Sequence, residues 1–234
     1  MREEYFSNHR IPGATKIAKK LSEQGRTVGR RTVAGIMREN GWKSKVVKKY
    51  NATTNSNHNL PVAENLLGQE FKATKVNEKW VSDITYIPTD EGWLYLAGIL
   101  DLHDKEVVGW AMGERMTKGL VINALNQANM RRKHPKGVLI HSDRGSQYCS
   151  HDYQSLLKKG GYICSMSRKG NCWDNAPMES FWGKLKQEWL NDKQFRTRED
   201  AKQAVFWYIE IYHKNYRLHE SIGYKTPAEH MTAA

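Results

Sequence analysis

The 234-residue sequence predicts a mixed α/β domain preceded by a small helical one. Three observations carry that prediction. Helical periodicity over short stretches dominates the first 42 residues, β-forming runs separated by turn-sized gaps begin at Lys79, and beyond the third run helices and strands alternate.

The N-terminal stretch comes first. Ala14 to Gln24 places Ile17, Ala18 and Leu21 at i, i+1 and i+4, and Gly25 stands where such a helix would end. From about Gly29 to Asn40, Val33, Ile36 and Met37 form one stripe, Arg30, Arg31 and Arg38 occupy the rest, and Gly41 sits at the C′ position. Two short helices joined by a turn, the second carrying arginines near its start, resemble a helix-turn-helix; a plain helical hairpin with solvated charges fits the pattern equally. Lys43, Lys45, Lys48 and Lys49, followed by an Asn- and Thr-rich run, read as a basic linker. The chain thus divides into a helix-turn-helix over 1–42, a linker over 43–75 and a larger domain over 76–234.

In that larger domain Lys79 to Pro88, Trp93 to Leu102 and Glu106 to Met112 read as strands, and the connections around Asp90-Glu91-Gly92 and His103-Asp104-Lys105 are short enough for an antiparallel meander. A helix follows from about Lys118 to Arg132, with Leu120, Val121, Ala124, Leu125 and Ala128 inward, then a short buried strand from Gly137 to His141. His151 to Lys159 reads as helix, Tyr162 to Met166 as strand, and two longer helices run from about Asn175 to Leu190 and Arg198 to Tyr216. A three-strand meander followed by αβαβα is the order of the ribonuclease-H-like fold, a mixed five-stranded sheet with flanking helices.

Composition limits the function. The formal charge is +12, and residues 1–75 carry 15 Lys and Arg against 6 Asp and Glu, so three quarters of the excess lies in the first third. An anionic partner is expected, held there by counterion release. No apolar run approaches the roughly 18–20 residues a membrane span needs, and the N-terminus has no export signal, so a cytoplasmic protein with no membrane partner is expected. Three cysteines without a C-x-x-C pair fit a reduced compartment, and the nine histidines lack zinc-ligand spacing.

Three acids stand out by position. Asp83 lies mid-strand among Trp80, Val81, Ile84 and Tyr86, where an unpaired charge is costly. Asp143 directly follows the buried strand at Val138–Ile140, at the carboxyl end where open α/β sheets take ligands. Glu179 falls in the first turns of a helix whose other face carries Phe181, Leu185 and Trp189. Singly, each is a satisfied edge residue, a cap or a dipole partner as readily as a functional group. Together, three carboxylates from separate segments meeting at one sheet end suit magnesium, and two ions about 3.5–4 Å apart can clamp both oxygens of an in-line displacement.

The segments Trp80-Val-Ser-Asp-Ile-Thr-Tyr86, His141-Ser-Asp-Arg-Gly-Ser-Gln-Tyr148 and Trp173-Asp-Asn-Ala-Pro-Met-Glu-Ser-Phe-Trp182 resemble the integrase core of bacterial insertion-sequence transposases, most closely the second reading-frame (OrfB) product of the IS-three family. Residues 144 to 178 number 35, so the acids have the spacing of the D,D-35-E signature. The stretch from Tyr212 to Pro227 and residues 10–41 resemble the family's C-terminal end and its helix-turn-helix.

The resemblance implies a DDE transposase catalytic subunit: a Mg²⁺-dependent (or Mn²⁺-dependent) polynucleotidyl transferase in which Asp83, Asp143 and Glu179 hold two ions. It would cleave double-stranded DNA at the element's ends and transfer strands into target DNA, along a copy-out and paste-in route. Implied partners are the first-frame product or its fusion and further copies of the chain on DNA, in the nucleoid. A metal-dependent nuclease on the same fold, or a catalytically idle DNA-binding remnant, are the alternatives.

Further residues follow from spacing. Lys186 lies seven positions after Glu179, within about 20° of the same helical face, and so is expected to point toward the metals. A basic residue there matches the family's DNA-end contact and, by that resemblance, would sit beside a phosphate; a solvated lysine is the plain alternative. Arg144 either binds phosphate or neutralises the acids. Asp174 and Asn175 read as an N-cap pair, and His141 either faces the site or packs in the core. Arg217 and His219 are DNA-contact candidates without a geometric argument. Arg30, Arg31, Arg38, Lys43, Lys45, Lys48 and Lys49 complete the expected DNA-binding set.

Overall fold

The computed structural model describes residues 1–44 and 60–232. Three helices open the chain: α1 (Arg2–Ser7), α2 (Ala14–Glu23) and α3 (Arg30–Glu39). Tyr5, Ile17, Ala18, Leu21, Val33 and Met37 bury one another, so the periodic stripes of α2 and α3 face each other and α1, which had no sequence signal, closes the group through Tyr5. Gly25 and Gly41 both have positive φ immediately after a helix, the backbone that lets the chain leave without a Cβ clash.

The sheet is built from β1 (Lys79–Thr89), β2 (Gly92–Asp101), β3 (Val107–Gly113), β4 (Leu139–Ser142) and β5 (Ile163–Met166), in the order β3-β2-β1-β4-β5. The meander β1-β2-β3 is antiparallel, while β4 and β5 add in parallel beyond β1. Parallel addition requires crossovers, which α4 (Lys118–Arg131) and α6 (His151–Gly160) supply, with a single turn, α5 (Ser146–Cys149), before α6.

Alternation along the strands sends residues to two cores. Trp80, Ala97, Ile99 and Val108 pack against Leu120, Val121, Ala124 and Leu125 of α4 together with Tyr148, Tyr153 and Leu157. Val81, Ile87, Leu94, Leu96 and Leu100 pack on the opposite face against Met178, Phe181, Trp182 and Leu185 of α7 (Ala176–Leu185) and Ala201 and Val205 of α8 (Arg198–Phe206). Two glycines make close approach possible. A Cβ on Gly109 would fall 2.2 Å from the Ala124 carbonyl oxygen, and one on Gly98 would fall 2.6 Å from the Trp182 ring.

Two expectations change. Each long C-terminal helix is α-helical only in its first part: α7 continues as a π-helical segment, Lys186–Leu190, and α8 as another, Trp207–His213. Stretches of this kind are frequent at functional sites and shift which residues face the core. Residues 60–75, expected as linker, instead pack on the sheet domain. Leu67 is buried in the α7 core, and the backbone N–H groups of Leu66 and Leu67 donate to Ser165 Oγ at 2.9 and 3.1 Å. Apolar residues spaced along this polar stretch supply the anchor. The short C-terminal helix α9 (Pro227–Thr232) ends the described chain, and among the described residues no helix is long and apolar enough to cross a membrane.

Candidate active site

Strand pairing brings the first two acids level. In the parallel β1–β4 pair Val81 lies opposite His141, so two residues further on Asp143 falls beside Asp83. Asp83 also pairs across the antiparallel ladder with Gly98, and the missing side chain leaves room for the Trp182 indole over the strand. Trp182 Nε1 donates to Asp83 Oδ2 at 3.1 Å, fixing the carboxylate to α7. Asp143 is held from behind by its own turn, the Gly145 N–H donating to Oδ1 at 2.8 Å.

Glu179 enters from the first turn of α7, where Pro177 also sits, in a position where its missing N–H costs nothing. The helix is pinned to the sheet by Asn175, whose Nδ2 donates to the carbonyl of Ser82 at 3.0 Å, one residue before Asp83. Beneath the acids the Tyr148 hydroxyl lies 2.9 Å from Ser82 Oγ, which donates to the Gly98 carbonyl.

The electrostatics show that the three acids share one neighbourhood. Burial pushes the Asp83 carboxyl well above its usual range, and the charges of Asp143 and then Glu179 push it further, against the opposing hydrogen bonds from the Ile84 N–H and Trp182. Glu179 is also raised by burial. Such a concentration of carboxylate oxygens matches the hard donor set of Mg²⁺ or Mn²⁺. Among the described residues, however, no group of three His, Cys, Asp or Glu side chains is arranged to hold a metal ion as it stands.

Lys186 reaches the same corner. Its ammonium lies 4.8 Å from the Tyr86 ring centroid, and burial lowers its pKa to about 8 while the Asp83 charge opposes that fall. Arg144 is half-buried, with Nε donating to the Ser167 carbonyl at 2.5 Å, so its guanidinium is tied to the loop after β5. Arg30, Arg31, Arg38 and Lys43 are exposed, and far from the acids in sequence. Lys45, Lys48 and Lys49 lie outside the described residues.

Several candidates have structural roles. His141 is fully buried between Ser165 Oγ at 2.8 Å and Ser167 Oγ at 3.1 Å, and burial lowers its pKa to about 4, so it is a neutral core residue. Asn175 occupies the N-cap position of α7 but turns its side chain to β1, and Asp174 makes no cap either. Asp174 instead receives Arg168 through Nε and Nη2 at 3.0 and 2.7 Å, Asn65 at 2.9 Å and Gln69 at 2.8 Å. Arg217 is corrected from DNA contact to core: only 5% exposed, it grips Glu188 with two hydrogen bonds of 2.9 Å, and His219 lies against it. Sequence reasoning misses Glu188 and Trp182. Trp182 stands three residues after Glu179, one helical turn on the same side, and that spacing is the signal that could have found it.

In comparisons with known proteins, residues 73–172 and 161–227 each match a model of the integrase core domain, and residues 1–50 match a model of an HTH-like domain. The chain is 50% identical over 216 residues to the "Insertion element IS600 uncharacterized 31 kDa protein" of Shigella sonnei, covering 92% of this chain and 79% of that one. It is 45% identical over 217 residues to "Transposase InsF for insertion sequence IS3A" of Escherichia coli (strain K12), covering 93% and 75%. Among solved structures, the simian T-cell lymphotropic virus intasome in complex with PP2A regulatory subunit B56 gamma superposes with a TM-score of 0.56 at 16% identity, over 96% of this chain and 72% of that one. The HTLV-2 integrase catalytic core domain in complex with magnesium (trimeric form) gives 0.52 at 17% identity, over 68% and 98%. These two likenesses concern the fold.

Proposed function

The chain belongs to the integrase-core transposases of the IS3 type, and from that membership we propose that Asp83, Asp143 and Glu179 are the acids with which it cuts and joins DNA. It is a DDE transposase, a metal-dependent polynucleotidyl transferase. The observation that supports the assignment of residues is that the charges of Asp143, in the turn after β4, and of Glu179, at the start of α7, both act on the buried Asp83 carboxyl of β1.

These acids would hold two magnesium or manganese ions. The chemistry such ions supply when bound is activation of a water or 3′-hydroxyl and stabilisation of the leaving 3′-oxygen. The chain's own residues do the positioning. Trp182 and the Gly145 N–H fix the Asp83 and Asp143 carboxylates, Asn175 clamps the Glu179 helix to the strand bearing Asp83, and Lys186 offers a cation to the phosphate beside them. Arg144 stands at the rim of the same site. Arg30, Arg31, Arg38 and Lys43, with Lys45, Lys48 and Lys49 beyond the described segment, grip duplex DNA away from the reacting phosphate. The helix-turn-helix of 1–42 and its linker would bring element ends to the core of 76–234, in an oligomer that pairs two ends and includes the first-frame product or its fusion.

The test uses labelled, pre-cleaved element-end DNA, a plasmid target and Mg²⁺, with Asp143→Asn alongside. Strand-transfer product that disappears in the variant is the expected result. Hydrolysis without joining would indicate a nuclease, and DNA binding without any product a non-catalytic protein; equal behaviour of wild type and variant sinks the assignment of the acids.

A further inference from the structure

We propose that Trp173 is a stacking platform for an unpaired nucleobase of the DNA end, a positioning residue that holds the strand open beside the reacting phosphate. The inference rests on the transposase reading above and deepens it. Trp173 is 71% exposed, the most exposed of the large hydrophobic side chains among the described residues. An indole left in water forgoes burial worth several kcal/mol, so its position on a tightly held segment calls for a partner.

That segment, the 3₁₀ helix Cys172–Asn175, is rigid on both sides of the ring. Before it, Asn171 Oδ1 accepts the Trp173 N–H at 3.1 Å. After it, Asp174 is fully buried and bound by Arg168, Asn65 and Gln69, the Arg168 hydrogen bond above all holding its carboxyl well below the usual range. Asn175 is then tied to Ser82, next to Asp83. Trp173 lies two residues before that tie, and two residues span at most about 7 Å, so its backbone is close to the segment that is bonded to the residue before Asp83.

The surroundings select the partner. Arg168 and Lys169 are exposed five and four residues before Trp173, Arg168 reaching the neighbouring Asp174, and Arg144 is tied to the Ser167 carbonyl one residue earlier on the same loop. A protein-binding tryptophan is ordinarily ringed by other apolar residues. Cations flanking an exposed aromatic instead suit single-stranded nucleic acid, phosphates on the cations and a base on the ring face. Where the end of the duplex opens beside the acids, a base that leaves its stack loses that contact, and the indole offers it a replacement.

The experiment measures cleavage at element ends by the full-length chain with Mg²⁺, on fully paired ends and on ends mismatched at the junction, for wild type, Trp173→Ala and Trp173→Phe. Circular dichroism melts check that both variants fold as wild type does, as an exposed side chain should allow. The expected result is an about 10- to 100-fold loss in Trp173→Ala on paired ends, the range that stacking of one base implies. Trp173→Phe should keep most activity, and the mismatch should restore Trp173→Ala. Wild-type product with no effect of Trp173→Ala, or an equal loss on paired and mismatched ends, overturns this inference alone. A changed oligomeric state in Trp173→Ala on size exclusion, with no dependence on mismatch, also overturns it in favour of a second copy of the chain. Absence of wild-type product on both DNAs overturns the transposase reading and this inference with it.

Discussion

Trp182 shows how much one side chain decides at this site. Its ring fills the space over Gly98 and its Nε1 holds Asp83, so Trp182→Phe keeps most of the packing and removes the hydrogen bond. The expected outcome is a stability loss of about 1 kcal/mol in denaturant titration, with a clear fall in strand transfer as the Asp83 carboxylate loses its tether. Glu188 illustrates the opposite case, an acid with no part in the chemistry. It accepts Arg217 in two hydrogen bonds and the Tyr208 hydroxyl at 2.6 Å, all buried, and despite burial those partners hold its carboxyl below the usual range. Glu188→Ala strands a buried guanidinium and should cost about 3–5 kcal/mol, read as a large drop in melting temperature. Of the acids, the position of Asp83 in its strand and the spacing from Asp143 to Glu179 were legible in the chain. The burial of Arg217 was not, because its partner Glu188 lies 29 residues away, on the π-helical continuation of α7.

At the scale of elements, the approach of helices to the sheet depends on two glycines that differ in what they meet. A Cβ on Gly109 would meet the backbone carbonyl of Ala124, which cannot yield without moving α4, whereas one on Gly98 would meet the Trp182 ring. Gly109→Ala should therefore destabilise the fold more than Gly98→Ala, each by an amount of the order of 1–3 kcal/mol or more. Gly98→Ala should in addition depress strand transfer beyond its stability cost, since the displaced ring carries the Asp83 tether; equal effects on both readouts would speak against that link. The π-helical segment at Trp207–His213 buries His213 against Phe181 with Nε2 donating to the Lys105 carbonyl at 2.7 Å, and burial lowers its pKa to about 3. The unfolded chain takes up this proton near pH 6.5 and the folded one only near 3, so more protons are bound unfolded between those values and stability must fall with falling pH. The slope from this group is on the order of 1.4 kcal/mol per pH unit, and His213→Asn should flatten the melting temperature against pH between 6.5 and 4. The five strands, α2, α3, α4, α6 and the starts of α7 and α8 were readable from periodicity, while α1, α5 and α9 are too short to show one. The π-helical segments were not readable, because an inserted residue leaves the apolar pattern almost unchanged.

For the molecule as a whole, charge and chemistry are separated along the chain. Most of the +12 lies in the first third, while the site is acidic. The connection between α1 and α2 nevertheless touches the sheet domain: Ile11 joins the α7 core, and the His9 ring packs edge-on against Trp189 at 5.0 Å and Trp207 at 4.8 Å. The triple substitution of Arg30, Arg31 and Arg38 to Ala should weaken duplex binding and make its salt dependence shallower, by about one in the log-log slope for each phosphate left without its cation. The melting temperature should hardly move, since all three side chains are exposed. An unchanged slope in equilibrium binding across a salt series would remove α3 from the DNA interface. Residues 60–75 had the composition of a linker, yet Leu67 and the Ser165 hydrogen bonds fasten them to the domain that bears the acids.

What the sequence determined by itself is what depends on local order and spacing: the succession of the strands and the longer helices, the inward faces of α2, α3 and α4, the division of charge, and three acids at recognisable intervals. What only the tertiary structure decided is which groups meet. The β1–β4 register sets Asp143 beside Asp83, Gly98 admits Trp182, Asn175 leaves its cap to hold β1, and Arg217 turns inward to Glu188. The physical reason is that hydrophobic periodicity is written in neighbouring residues. The pairing of buried polar groups is fixed only when distant segments are brought out of water together, where each donor and each charge must find the partner that remains.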